Sequence, residues 1–242
     1  MPNCNTLSQQ PSTGRFKLLT ISEKYQAVIS LLSLLSGLAP LLFRLILAPA
    51  LIIAGYSKLG ISGDWQNWYD VFLADPDVVA WFGNPDWGLG LPLPHLLAFL
   101  VGWIEFIGGW LILIGLATRI IAIPLMLIML VAATSVHSDN GWFAITPTNP
   151  DTSAARVLTW LDIQRADESL ENSRQASERL DKIRSIIEEH GRPDYLYETG
   201  KPVILNNGIE FSAIYFAMLL SLFFTGGGRL TSVDWYIKKI VT

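Results

Sequence analysis

Residues 100–119 read LVGWIEFIGGWLILIGLATR. About 20 apolar residues in a helix cross a bilayer core of about 30 Å, and this stretch is that long and that apolar. Glu105 is the exception in its middle. A charged side chain at the centre of a membrane helix costs about 2.5–3.5 kcal/mol, so such a group normally faces protein and has a partner. Gly102, Gly108, Gly109 and Gly115 share the helix with Glu105. Small residues let helices approach closely, so Glu105 is expected to face a bundle and not lipid.

Working outward, three more segments have the same character: 39–60, 120–137 and 208–226, with the second span at 94–119. The fold expected is all-α, a four-transmembrane-helix bundle. Its parts are a tail and interfacial helix over 1–38, three spans over 39–137 with an aromatic loop at 60–93, a helical insert over 138–207, and a fourth span with a tail over 208–242. In the stretch ISEKYQAVISLLSLLSGL, 21–38, Val28, Ile29, Leu31, Leu32 and Leu35 fall on one helical side. That suits a helix lying in the interface, or else a longer first span.

The chain has 242 residues, 51% hydrophobic and 16% charged, against about 25% charged in soluble domains. Mean hydropathy is +0.38. The net charge of −4 leaves no basic footprint for nucleic acid. The lone cysteine, Cys4, excludes an internal disulfide and a CxxC dithiol. The first twenty residues are polar and lack the apolar h-region of a cleavable signal, so insertion would rely on the spans themselves.

Lys and Arg counts suggest an orientation. Arg15, Lys17 and Lys24 precede the first span, Arg119 lies between the second and third, and Arg229, Lys238 and Lys239 follow the last. Residues 60–93 hold no Lys or Arg but carry Asp64, Asp70, Asp75, Asp77 and Asp86. Both termini are therefore expected in the cytoplasm, with 60–93 and 138–207 outside, in a bacterial inner membrane. Trp65, Trp68, Trp81, Phe82 and Trp87 in the first loop suit the headgroup level, as a surface hairpin or as a lid over a pocket. The insert, DTSAARVLTWLDIQRADESLENSRQASERLDKIRSIIEEH over 151–190, reads as a solvated helical hairpin or one long helix. It is either a passive insertion or a docking arm, and its His190 is a surface residue.

Three sets of polar residues follow. Glu105 and Arg44 come first: if Gly60 and Pro94 are level, Glu105 sits beside Pro49, with Arg44 about 7.5 Å below at 1.5 Å per residue. Glu105 is then held by Arg44 or kept neutral by its surroundings, as a packing clasp or as a hydrogen-bonding group for quinol or protons. The second set, Lys58, His95, His137 and Glu210, lies at the outer ends of four helices and would form an outward-facing pocket, or else four separate interfacial anchors. His95, His137 and Glu210 lack a metal-binding spacing, and no metal site is assigned. Met126, Met129 and Met218 offer soft sulfur to Cu(I), with core packing the favoured reading. The third set is Arg119, Arg229 and Asp234, read as structural, with Arg229 and Asp234 clamping the end of the last span. No P-loop, dinucleotide fingerprint or nucleophilic triad is visible.

With these residues in view, the chain resembles the DoxX family of small four-helix membrane proteins. The carriers are Arg44 with LAPALIIAGYSKL (47–59), the stretch at 100–119, and the closing GGGRLTSVD (226–234). The resemblance covers about 39–137 and 208–234. The phrase VILNNGIEFSAIYFAMLLSLFF (203–224) and the long insert resemble the HvfX-type branch, associated with maturation of copper-binding, ribosomally made peptides. DoxX-like proteins are similar to the quinone-linked small subunit of thiosulfate:quinone oxidoreductase, and others are membrane partners of redox or thiol-stress enzymes. The resemblance marks Arg44, Lys58, Glu105, Arg119, Arg229 and Asp234 as family-type polar positions. It implies an accessory membrane subunit in a redox or copper-peptide system, with quinone as the cofactor to expect and copper the weaker candidate. The partners to expect are the lipid bilayer and a protein partner or a second copy. A non-catalytic scaffold recruiting its partner through the insert is the alternative. A small transporter is a further one, which the lack of inverted repeats disfavours.

Overall fold

The computed structural model describes residues 13–62, 67 and 69–241. Cys4, Asp64, Trp65 and Trp68 lie outside the described residues. Helix α1 (Thr13–Leu34) is followed by a turn and then α2 (Leu38–Lys58). Short α3 (Pro76–Gly83) begins the return to α4 (Pro94–Ile114), and α5 (Thr118–Val131) continues as a π-helical turn at Ala132–Val136. The insert contains α6 (Ala155–Thr159), α7 (Gln164–His190) and α8 (Pro193–Leu196). Helix α9 (Glu210–Thr225) returns to the bundle, and α10 (Val233–Val241) closes the chain.

Helices α2, α4, α5 and α9 form a closed ring, each packed on the next and α9 back on α2. All four contribute to one core: Leu47 and Leu51 from α2, Ile112 from α4, Ala122, Leu125 and Met129 from α5, Leu219 and Leu222 from α9. Met126 and Met218 pack against that core, which accounts for the methionines as packing residues. The outward faces are apolar as well; Ile53, Ile107, Ile123, Leu127 and Phe224 are all exposed. A helix that is apolar all round needs an apolar solvent. Residues 22–58, 94–114 and 118–136 are long and apolar enough to cross a membrane, and α9 is a shorter apolar helix. The protein is an all-α membrane bundle.

The turn Leu35–Gly37 separates α1 from the first bundle helix. The exposed side of α1 carries Val28, Ile29, Leu31 and Leu32. The first loop folds back on the end of α2: Leu59 bridges Ala74, and the Asp75 amide donates to the Lys58 carbonyl at 2.9 Å. Asp75 caps α3 by accepting from the Asp77 amide at 2.8 Å. Helix α3 then packs on the first turns of α4 through Val79, Phe82 and Ala98. These first turns of α4 thus have α3 as their neighbour, and α2 comes alongside only further down.

The insert is neither a single helix nor a plain hairpin. Its α7 buries Ala166, Ser173, Ala176 and Leu180, a spacing that keeps one stripe on one side. Its two ends meet at a single antiparallel bridge, Ile145 with Leu205. There the Thr146 amide donates to the Ile204 carbonyl at 3.0 Å, and the Asn206 and Asn207 amides donate to the Ala144 carbonyl at 2.9 Å.

Candidate functional site

The site begins with a seam of glycines. A Cβ on Gly55 would stand 2.7 Å from the Gly102 carbonyl oxygen and from the Phe106 Cα, and one on Gly109 2.7 Å from Ile52 Cγ1. Only residues without a side chain permit that approach of α2 and α4. Glu105 lies between Gly102 and Gly109 on α4, three residues from one and four from the other, and so on the same face. The seam therefore points Glu105 at the last turns of α2.

Lys58 meets it there. Its Nζ donates to Glu105 Oε2 at 2.5 Å and to the Ala54 carbonyl at 3.2 Å. Glu105 is 3% exposed, whereas the Lys58 side chain keeps 24% of its surface. Among the described residues Lys58 is the one hydrogen-bonding partner of the Glu105 carboxylate. Lys58 also sits in the last turn of α2, where a positive charge complements the helix C-terminus. On the same stretch of α4, Trp103 touches Phe72, Phe99 and Phe106, and Phe106 touches Tyr56 of α2. The Trp103 indole donates to the Phe72 carbonyl at 3.0 Å. An apolar recess of about 410 Å³ opens between the first loop and α4, lined by Leu73, Ala74, Val79, His95 and Phe99 among others.

Arg44 does not hold Glu105, contrary to expectation. It is 2% exposed, and its guanidinium donates to four backbone carbonyls instead. Nε reaches Ile112 at 2.8 Å, Nη2 reaches Leu113 at 2.5 Å, and Nη1 reaches Gly227 at 2.7 Å and Thr231 at 3.0 Å. The last carbonyls of a helix lack intrahelical donors, and a cation at a C-terminus is favoured. Arg44 supplies both to α4. The cause of the error is register: the seam sets Gly102 against Lys58 and Leu59 and Gly109 against Leu51 and Ile52, about six residues from the alignment of Gly60 with Pro94. Arg44 is thereby carried to the opposite end of α4 from Lys58.

Arg119, Asp234 and Arg229 divide in a related way. Asp234 accepts from the Ala117 amide at 2.7 Å and the Thr118 amide at 2.9 Å, capping the start of α5. Arg119 donates to the Phe224 carbonyl at 3.1 Å, in the last turn of α9. Arg229 is exposed and does not clamp Asp234; its backbone packs closely on Gly37. Gly115 has φ of +70°, and a Cβ there would stand 2.8 Å from the Arg44 guanidinium carbon. The bend from α4 to α5 thus needs a glycine for conformation and for space.

The outer set does not converge. Lys58 belongs to the Glu105 pair, and exposed His95 lies at the recess. His137 Nδ1 is 2.9 Å from the Asn207 carbonyl, and Glu210 accepts from the Ala144 amide at 3.0 Å. Both are tied into the base of the insert. Among the described residues no group of three His, Cys, Asp or Glu is placed to hold a metal ion. Sequence reasoning missed Asn140 and Asn206, whose side-chain amides donate to the Asn207 carbonyl and to the Asn140 and Phe143 carbonyls. Their signal was the polar pair NN at 206–207 just before an apolar helix.

Residues 39–138 match the family model described as DoxX. The match spans α2, α4, α5 and the loop between them, and thus contains Arg44, Lys58, Glu105 and Arg119. No curated protein and no solved structure gives a match. The stretch 39–138 is similar to DoxX, and the protein is a multi-pass membrane protein.

Proposed function

We propose that this protein is the accessory membrane subunit of a redox system and holds a quinone-type amphiphile against Lys58 and Glu105. One observation carries the reading: a carboxylate that is 3% exposed is joined to a lysine that keeps 24% of its side chain open. An ammonium has three donors, and two of them are engaged by Glu105 and Ala54. The third is left for an acceptor such as a quinone carbonyl, and the second carboxylate oxygen is left for a hydroxyl. Tyr56, Phe72, Trp103 and Phe106 supply a run of touching aromatic rings on the same turns of α2 and α4 and the first loop. When bound, the quinone would supply the electron-accepting chemistry that the described residues lack. Lys58 and Glu105 would orient its headgroup and hold a proton beside its oxygens. Arg44 belongs to the frame and not to this site.

The setting that fits is a bacterial inner membrane with both termini in the cytoplasm, in a quinone-linked or copper-peptide maturation system. Native mass spectrometry of the protein extracted in lipid particles tests the reading. A quinone mass that is present in the wild type and lost in Glu105→Gln supports it; protein and phospholipid alone in the wild type would refute it.

A second reading, a scaffold that recruits a protein through the insert, is favoured by the corner between α6 and α7. Trp160 is 77% exposed there, with Val157, Leu161 and Ile163 exposed around it. Loss of a co-purifying partner on Trp160→Ser and Leu161→Ser would favour the scaffold.

A further inference from the structure

Helix α10 has two dissimilar sides. Each residue turns a helix by about 100°. Val233, Tyr236, Ile237, Ile240 and Val241 therefore fall in one arc of about 140°, and Asp234, Trp235, Lys238 and Lys239 fill the rest. No charged residue interrupts the arc. All five of its residues are exposed, Ile240 to 84% and Val241 to 80%, so the arc is uncovered along the whole helix. Its one polar side-chain atom, the Tyr236 hydroxyl, is satisfied within the protein by donating to the Leu230 carbonyl at 3.0 Å.

The first turn of α10 fixes its level. The Asp234 amide donates to the Gly115 carbonyl at 2.9 Å, and the Asp234 carboxylate accepts from the Ala117 and Thr118 amides. Both contacts are to the turn between α4 and α5. Arg44 ties the end of α4 to the 227–231 turn that follows α9. The bundle helices begin or end at this level, which in a spanning bundle is the edge of the hydrocarbon core. The 9 residues of α10 rise about 14 Å, too little to cross a core of about 30 Å. The helix thus starts at the bilayer surface and has no length to leave it by the other side.

Charge decides what covers the arc. Lys238 and Lys239 are exposed and flank it, one on each side. Arg119 and Arg229 are exposed at the same end of the bundle. Asp234 is the one acidic residue in 115–131 and 226–241, and its carboxylate is engaged as the cap of α5. A second copy docked face to face would bring the same lysines to the contact, with no acid to meet them. A surface of negative headgroups complements both sides of the helix: the apolar arc sinks to the acyl boundary and the lysine stems reach outward. We infer that α10 lies in the leaflet at its end of the bundle, with Val233, Ile237 and Ile240 against acyl chains and Lys238 and Lys239 on the headgroups of anionic phospholipid.

Single-cysteine variants of the full chain test this, built on Cys4→Ser and reconstituted in phosphatidylcholine vesicles with and without phosphatidylglycerol. Nitroxide labels go at Ile237→Cys and Ile240→Cys, with Ile123→Cys on α5 as the lipid reference and Lys182→Cys on α7 as the water reference. Each label is read by its collision with oxygen and with a polar nickel chelate, which is excluded from hydrocarbon. With phosphatidylglycerol, the oxygen-to-nickel ratio at 237 and 240 is expected several-fold above that at 182. Omitting phosphatidylglycerol, or adding Lys238→Gln and Lys239→Gln, should lower it toward the value at 182, each lysine being worth roughly fivefold in the ratio of docked to undocked helix. A ratio matching Lys182 at either position in the anionic vesicles overturns the inference. So does shielding from both probes, which would place protein on the arc, and so does a high ratio that neither the anionic lipid nor the lysines change. Ile237 and Ile240 are exposed, so a label at either leaves the packing unchanged.

Discussion

Lys58 and Glu105 meet across the glycine seam, Nζ to Oε2 at 2.5 Å, and the last turn of α2 is thereby joined to the middle of α4. The pair is asymmetric. Removing the ammonium strands a buried carboxylate, whereas removing the carboxylate leaves a lysine that can turn to its open side.

Stability should follow that asymmetry. Breaking a buried pair by removing one partner costs about 3–5 kcal/mol. Lys58→Met is expected near that range and Glu105→Gln below it. The double variant Lys58→Met with Glu105→Gln is expected to recover part of the loss. Thermal unfolding in a constant detergent checks the order, and a double variant less stable than Lys58→Met would remove the pair as the cause.

Arg44 is predicted to resist conservative replacement. A lysine brings three donors from one point and cannot serve carbonyls on α4 and on the 227–231 turn together. Each buried group left unsatisfied costs about 1–3 kcal/mol, so Arg44→Lys should lose several kcal/mol. Size-exclusion profiles of a fluorescent fusion would report it as aggregation, and a monodisperse variant of unchanged Tm would contradict the four-carbonyl clamp.

The glycine seam predicts a contrast between two alanines. At Gly55 the obstruction is the backbone of α4, which cannot step aside. At Gly108 the nearest atoms are side-chain carbons of Ile121 and Leu125, 3.3 Å or more away. Gly55→Ala should therefore separate α2 from α4 and lower Tm far more than Gly108→Ala. Equal effects would mean that the helices stand farther apart than the seam requires.

Asp234 is expected to act as a cap on α5. Losing a side-chain cap costs about 1 kcal/mol. Asp234→Ala should lose about that much, while Asp234→Asn retains an acceptor for one of the two amides and should lose less. Hydrogen exchange at Ala117 and Thr118 reads the effect directly; unchanged protection in Asp234→Ala would exclude the cap.

Four apolar segments at 39–60, 94–119, 120–137 and 208–226 were legible because lipid imposes its own composition on a helix. The identity of Glu105 as a bundle-facing group was legible from its glycines. Its partner was not, because partner choice depends on register, and register was inferred from where the spans begin. The first turns of α4 pack on α3 through Ala98, so Pro94 is not level with Gly60. Aligning Gly55 with Gly102 and Gly109 would have placed Lys58 beside Glu105. The bridge of Ile145 with Leu205 was hidden for another reason. Its two segments are about 60 residues apart and too short to show alternation, and only the fold brings them together.

Arg44 also sets an order of events during synthesis. It belongs to the first bundle helix, yet its Nη1 acceptors are 183 and 187 residues downstream, at Gly227 and Thr231. At about 5–20 residues per second, the ribosome needs roughly 10–40 s to reach them. For that interval a guanidinium in the membrane has no more than the end of α4 for company. A nascent chain released before residue 227 would lack two of the four carbonyls that satisfy this charge.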